Sequence, residues 1–418
     1  MQRPVYMLSG GITKFAKAHP DKDFRLMTKE ALDAALGDLG GKLTARDIDG
    51  SVISYFSDHF TGQLKAGAMV QDFLGLCPKP NIRIEGGGAT GGLCFQAAVQ
   101  AVASGRFDVC AAVGFETMST VETWKGNDFI ALASDTHFDY PLGGFYTGYY
   151  AMMAVRHMHE FGTTEEQMAR VAVKNYGNAA HNPFAQHRRA VTVADVMQSE
   201  MIAYPCRRMT TCVMSDGAAA IILASEDAAR KYCDNPIRVA GIGCGSDTMR
   251  MSDRPHGRVP LLPHESEGDY PGLKYPGVHS FRAGRMAALE AYKQAGIRDP
   301  REDIQVWELH DAYASAELQQ YEDVGLCKYG EAGRFIDAGH PTIAGSNPVN
   351  PSGGLLACGH PVGATGLMQM VFCFWQCQET IAKHFGDPFC QIKNPRRAAA
   401  YSHAGTGTYV TISILEKP

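Results

Sequence analysis

Nowhere in the 418 residues do about eighteen apolar side chains run uninterrupted, so the sequence offers no stretch of the length a bilayer core requires. The start, Met1-Gln2-Arg3-Pro4, lacks the charged head and long apolar core of a secretory leader. A basic run able to neutralise a phosphate backbone is missing too, and the net charge is only -5, which argues against nucleic acid as a partner. The twelve cysteines form no Cys-x-x-Cys pair, and no matching pair of histidines accompanies Cys373 and Cys377, so no metal site is expected. Spread through a large chain that is 45% apolar, they read as free, buried thiols. A soluble, cytoplasmic protein with no membrane partner is the expectation.

One absence concerns a single side chain. The segment Glu85-Gly86-Gly87-Gly88-Ala89-Thr90-Gly91 delivers the chain to a helix start that carries no nucleophile. A helix N-terminus presents unpaired N–H groups and a partial positive charge, which hold an oxyanion or depress a thiol pKa. Glycine at position 88 keeps the amide and cannot attack. The plain alternative is a glycine-rich strand-to-helix turn.

What the chain does contain is an internal repeat. The helix-like Ala31-Leu32-Asp33-Ala34-Ala35-Leu36 ends near Gly40-Gly41, and Asp47-Ile48-Asp49 leads into the strand Ser51-Val52-Ile53-Ser54-Tyr55. Ala287-Ala288-Leu289-Glu290-Ala291-Tyr292 ends at Gly296, and Asp303-Ile304-Gln305 leads into Val306-Trp307-Glu308-Leu309. Each half then carries Gly-Ala-Thr-Gly (88–91 and 363–366), an apolar helix (93–104 and 367–380) and a closing strand (109–113 and 409–414). The pattern predicts an α/β protein of two similar stacked halves, 1–235 and 236–418, joined near Asn235-Pro236. Residues 116–205, rich in Met, Tyr, His and Gly, read as an inserted loop domain covering a site. A second irregular stretch spans 250–277.

Three further segments carry chemistry. His360 sits on a Pro-locked, glycine-rich loop before the second Gly-Ala-Thr-Gly, which suits an oxyanion donor or a general acid/base. His310, in His310-Asp311-Ala312-Tyr313, follows an apolar strand and should emerge at its C-terminal edge, where α/β folds place their chemistry. Tyr401-Ser402-His403-Ala404-Gly405-Thr406-Gly407 reads as a small-residue loop whose amides complete an anion hole, or as a tight hairpin.

In this order the residues resemble the thiolase superfamily, and within it the sterol-carrier-protein-type thiolases with their His-Asp-Cys-Phe motif. The match rests on Gly359-His360-Pro361-Val362-Gly363-Ala364-Thr365-Gly366 and on Ser215-Asp216-Gly217-Ala218-Ala219. The resemblance implies the thiolase fold, five-layered αβαβα with a covering loop domain, a CoA-thioester substrate and a homodimer. It also implies a cysteine seventeen residues before the helix-ending glycine, here Gly105, and that place is held by Gly88. The family's second cysteine maps to Ala312 or to Tyr401, so both thiols are missing while His310 and His360 stand at matching positions.

Losing a nucleophile removes several orders of magnitude in rate, which puts Claisen chemistry in doubt. An anion site of the Gly88 amide, the Ala404 and Gly405 region and two histidines can still stabilise a thioester enolate, the species released in retro-aldol cleavage of a β-hydroxyacyl-CoA. His310, His360 and Tyr313 are the candidate bases. Thiolase-like aldolases that lack the cysteine offer a precedent, and their resemblance implies a small OB-fold, zinc-ribbon partner subunit in a heterotetramer. Arg188, Arg207, Ser352 and Gly353 are the candidate CoA contacts; no permanently bound cofactor is expected, coenzyme A entering with the substrate. Two alternatives stay open. One is a β-ketoacyl-CoA thiolase with an altered nucleophile position or with Cys358 recruited; the other is a catalytically silent acyl-CoA-binding or scaffold subunit.

Overall fold

The computed structural model describes residues 3–254, 257–272, 274–275 and 281–418; residues 255, 256, 273, 276 and 277 of the irregular stretch, and Met1 and Gln2, lie outside the described residues. Nine strands form one mixed sheet: β1 (Val5–Ile12), β2 (Gly50–Ser54), β3 (Asn81–Ile84), β4 (Val109–Thr117), β5 (Asp216–Ser225), β6 (Ile237–Ser246), β7 (Val306–Glu308), β8 (Arg397–Ala404) and β9 (Tyr409–Glu416). Their order is β7-β8-β9-β6-β1-β5-β4-β2-β3. The repeat is visible in it. In the first half β2 lies parallel to β3 and β4, and β5 and β1 follow antiparallel. In the second, β7 lies parallel to β8, β9 and β6 follow antiparallel, and Val349 bridges Trp307 in the place of β3. The two halves meet where β1 pairs β6 at Tyr6–Arg238 and Met7–Ile237.

This topology corrects one expectation. The counterpart of β4 is β8, residues 397–404, and not 409–414, which answers β5 instead. The run Arg397-Ala398-Ala399-Ala400-Tyr401-Ser402-His403-Ala404 carries no β-branched side chain and so hides its strand character; flanking strands on both sides impose it.

Helices fill the remaining layers. α1 (Phe24–Gly37) starts at Asp23, whose carboxylate accepts from the Arg25 and Leu26 N–H groups, and buries Phe24, Met27, Ala31 and Ala35 at helical spacing against the first half. α2 (Thr90–Ala103) and α7 (Val362–Gln378) lie between the two parts of the sheet, and α5 (Arg282–Ala295) covers the second half from outside. Every residue of α7 from Val362 to Cys377 is buried, as a helix walled by sheet on two sides requires. The result is the five-layered αβαβα arrangement that the resemblance implied. α2 and α7 cross at their glycines: a Cβ on Gly91 would lie 2.6 Å from the Gly366 nitrogen, and one on Gly366 would lie 2.2 Å from the Gly92 nitrogen. The paired Gly-Ala-Thr-Gly segments are therefore the point where two backbones touch.

Between β4 and β5 the chain leaves the sheet as a covering segment that carries α3 (Tyr146–Phe161) and α4 (Glu165–Ala179). It returns at Asp216; on the way Thr211 bridges Tyr313 and Met214 bridges His360. Among the described residues no helix is long and apolar enough to cross a membrane.

Candidate active site

The two helix starts, the edge of β7 and the end of β8 converge on a cavity of about 340 Å³ lined by Gly88, His310, Ala312, Tyr313, His360, His403, Ala404 and Gly405. Gly88 lies in a tight turn, Gly87–Ala89, just before α2. The Gly86 N–H is bound to the Thr90 hydroxyl (2.9 Å) and the Gly87 N–H to the Glu85 carboxylate (2.6 Å); among the described residues none accepts from the Gly88 N–H. A Cβ at position 88 would sit 3.5 Å from the His310 Nε2 and only 2.4 Å from the His403 carbonyl oxygen. The backbone of β8 thus fills the place from which a cysteine would have to project.

His310 emerges two residues beyond β7 and is clamped at its backbone by α6 (Ala314–Asp323). Gln320 accepts from the His310 N–H (2.8 Å) and donates to its carbonyl (2.7 Å). The His310 ring stands at 89° to that of His360, centroids 4.9 Å apart, and 4.3 Å from that of His403. Its Nδ1 is buried with no partner among the described residues. An orphaned buried N–H is rarer than an orphaned acceptor, so the proton belongs on Nε2, which faces Gly88.

His360 has the opposite tautomer. The Thr365 hydroxyl donates to the Pro361 carbonyl (2.8 Å), so towards the His360 Nδ1, 2.9 Å away, it accepts. The proton sits on Nδ1, and Nε2 offers its lone pair. Burial holds all three imidazoles neutral: His360 is lowered to about 4, His403 to about 3 with help from His360 and Arg254, and His310 falls well below its ordinary value with help from both other histidines.

A stability prediction follows from the sign of these shifts. A histidine whose folded pKa is depressed contributes stability that is present above its unfolded value near 6.5 and is lost as pH falls towards the folded value. Each such group steepens acid destabilisation by about 1.4 kcal/mol per pH unit. Buried carboxylates with raised pKa, such as Glu116, act in the opposite sense over this range, so the effect is read as a difference: relative to the unaltered protein, His403→Gln, which lacks one of these groups, should gain stability as pH falls from about 7 to about 5. An unchanged slope would show that His403 titrates alike in both states.

Two buried carboxylates brace this arrangement. Glu116 accepts from the Phe56 N–H (2.8 Å) and the Gly363 N–H (3.0 Å), tying the end of β2 to the start of α7, and burial pushes it up to about 8. Asp311 accepts from the Leu355 N–H (2.5 Å), the Leu356 N–H (3.2 Å) and the Asn175 amide (2.6 Å), with burial and then Glu317 raising it to about 7. It joins the His310 segment to the loop that leads to His360.

Of the sequence candidates, Gly88, His310, Tyr313, His360, Ala404 and Gly405 share the cavity. Four others do not. Ser352 is buried with its hydroxyl on Glu308 (2.6 Å), and Gly353 packs on Ala179; neither lines the cavity. Arg207 is paired with Glu165 (3.0 Å), and Arg188 is exposed on the covering segment away from the cavity. Cys94 is bound to the Val52 carbonyl and Cys358 to the Ser352 carbonyl, both buried and off the cavity.

Two site residues escaped sequence reasoning. Tyr401 does not line the cavity, and His403, two positions on, does. Cys212 also lines it, with burial pushing its thiol up to about 12. Its only sequence signal was its place just before Ser215-Asp216.

Comparison with known proteins fits this architecture. Residues 5–227 match the family model of the thiolase N-terminal domain, and residues 275–417 that of the thiolase C-terminal domain-like family. An acetyl-CoA acetyltransferase of Methanothermobacter thermautotrophicus is 35% identical over 99% of this chain and 100% of its own. Sterol carrier protein 2 of Gallus gallus is 30% identical over 99% of this chain and 72% of its own. Among solved structures, the Ltp2-ChsH2(DUF35) aldolase superposes with a TM-score of 0.79 at 26% identity, covering 99% of this chain and 98% of that one.

Proposed function

The chain belongs to the thiolase superfamily of enzymes, and from that premise we propose that it cleaves the Cα–Cβ bond of a β-hydroxyacyl-CoA by a retro-aldol route that uses no thiol. The observation that carries this reading is the His403 carbonyl 2.4 Å from the absent Gly88 Cβ, in a cavity that keeps three neutral imidazoles. The His360 Nε2 lone pair takes the β-hydroxyl proton. The Cα–Cβ bond breaks, the carbonyl product forms at Cβ, and the electron pair passes into a thioester enolate. That enolate oxygen accepts from the Gly88 N–H and the His310 Nε2–H. His360, now protonated beside a negative enolate that raises its pKa, returns the proton to Cα and the acyl-CoA leaves.

Cys212, held as a neutral thiol, is a poor nucleophile, which argues against an acyl-enzyme. Coenzyme A comes only with the substrate in this reading. The cavity continues into a second of about 310 Å³ that shares Ala133, Tyr146, Met249 and Thr408, and these apolar walls suit a bulky substituent at Cβ. We further propose that a homodimer works with a small OB-fold subunit; the aldolase above is named together with a second component, ChsH2(DUF35).

The test is direct. Purified protein given a β-hydroxyacyl-CoA with a bulky Cβ substituent should release the carbonyl compound and the shortened acyl-CoA, and should not thiolyse the matching β-ketoacyl-CoA with added CoA. Thiolysis without carbonyl release, or a trapped acyl adduct on any cysteine, overturns the reading. Run in reverse, the enolate step predicts that acetyl-CoA alone exchanges its α-hydrogens in deuterated water, detected by mass spectrometry.

A further inference from the structure

We propose that Tyr150, carried by the covering segment, is a positioning residue that fixes the tautomer of His403 and thereby holds the end of β8 against Gly88. Tyr146 and Tyr150 lie one turn apart on α3, and both meet the hairpin that follows β8. A Cβ on Gly405 would lie 2.7 Å from the Tyr146 ring, and the Tyr150 hydroxyl contacts both the Gly405 carbonyl and the His403 Nε2. That hydroxyl has one hydrogen. The carbonyl can only accept, so the tyrosine donates to Gly405 and accepts from His403. His403 must then carry its proton on Nε2.

Among the described residues the buried Nδ1 of His403 has no partner, so the other tautomer would strand an N–H there. Tyr150 is itself held. Its ring stacks on Tyr313 with centroids 4.0 Å apart at 22°, and the Tyr313 hydroxyl lies 2.9 Å from that of Thr147 on the same helix. Tyr150 thus directs its polar end to the hairpin. The atom whose position depends on this lock is the His403 carbonyl that abuts Gly88, and the His403 ring lies 4.3 Å from His310. A seated covering segment and a complete enolate hole are thus one state.

The rate arm of the test rests on the enolate reading, and the tautomer arm does not. In protein carrying 15N-labelled histidine, His403, assigned by its loss in His403→Gln, should show a single neutral tautomer with the proton on Nε2. Tyr150→Phe should give mixed or reversed tautomers, together with a fall in α-hydrogen exchange and turnover of about 10- to 100-fold at a KM changed by less than about twofold. His403→Gln, which keeps a donor for the Tyr150 hydroxyl, should retain more activity than His403→Leu. An unchanged tautomer with turnover within about twofold in Tyr150→Phe overturns the proposal. So do equal activities of the Gln and Leu variants, a comparison that remains if Tyr150→Phe fails to fold. A tautomer change without any carbon–carbon cleavage by the unaltered protein upholds the lock and refutes the retro-aldol reading.

Discussion

Replacing His360 by alanine should lower carbon–carbon cleavage by about 10²- to 10⁴-fold, the usual worth of a positioned general base, while KM stays close to that of the unaltered protein. The reason is the proton inventory around the ring. Thr365 holds Nδ1–H, which leaves Nε2 as the acceptor, and burial keeps that acceptor bare at neutral pH. His310 cannot substitute, because its pocket-facing Nε2 carries the proton needed by the enolate oxygen. Structurally the substitution removes one hydrogen bond, worth about 1 kcal/mol, so the variant should fold. Added imidazole should restore part of the rate in the vacated space. Unchanged turnover would place the base elsewhere.

Gly88→Cys should give no thiolase. Its Cβ would meet the His403 carbonyl at 2.4 Å, a backbone atom that cannot swing aside as a side-chain tip would. Either α2 or the β8 hairpin must shift, at an overpacking cost of about 1–3 kcal/mol, and retro-aldol activity should fall because the same shift pulls His403 from Gly88. No acyl adduct on the introduced thiol should appear after incubation with β-ketoacyl-CoA. The competing view, a thiolase with an altered nucleophile position, predicts the reverse: thiolysis gained and the thiol acylated. Mass spectrometry of the variant decides between them.

Much of the fold was legible because it is written twice. The repeated Gly-Ala-Thr-Gly segments and the apolar helices behind them announced two similar halves, and the end of β7 announced where His310 would emerge. The alanine-rich β8 was missed for a physical reason: its strand conformation comes mainly from the neighbours it pairs with, since it has no β-branched side chain and only Tyr401 among its residues favours a strand. With it went His403, since a histidine in a presumed loop gives no hint of facing a cavity. The placement of Ser352 and Gly353 was equally hidden, because a Ser-Gly-Gly turn looks solvent-exposed until Glu308 and Ala179 are seen to enclose it.

The crossing of α2 and α7 at Gly91 and Gly366 separates two kinds of change. Because the helices approach backbone to backbone at this crossing, with no room for a Cβ, the spacing between the Gly88 turn and the His360 loop is set there by atoms that no side-chain change resizes. The covering segment supplies much of the cavity wall, and Tyr146 and Tyr150 join it to the hairpin that faces Gly88. Changes in the wall that spare Tyr146 and Tyr150 can therefore alter what the cavity accepts while the spacing set at the helix crossing stays as it is.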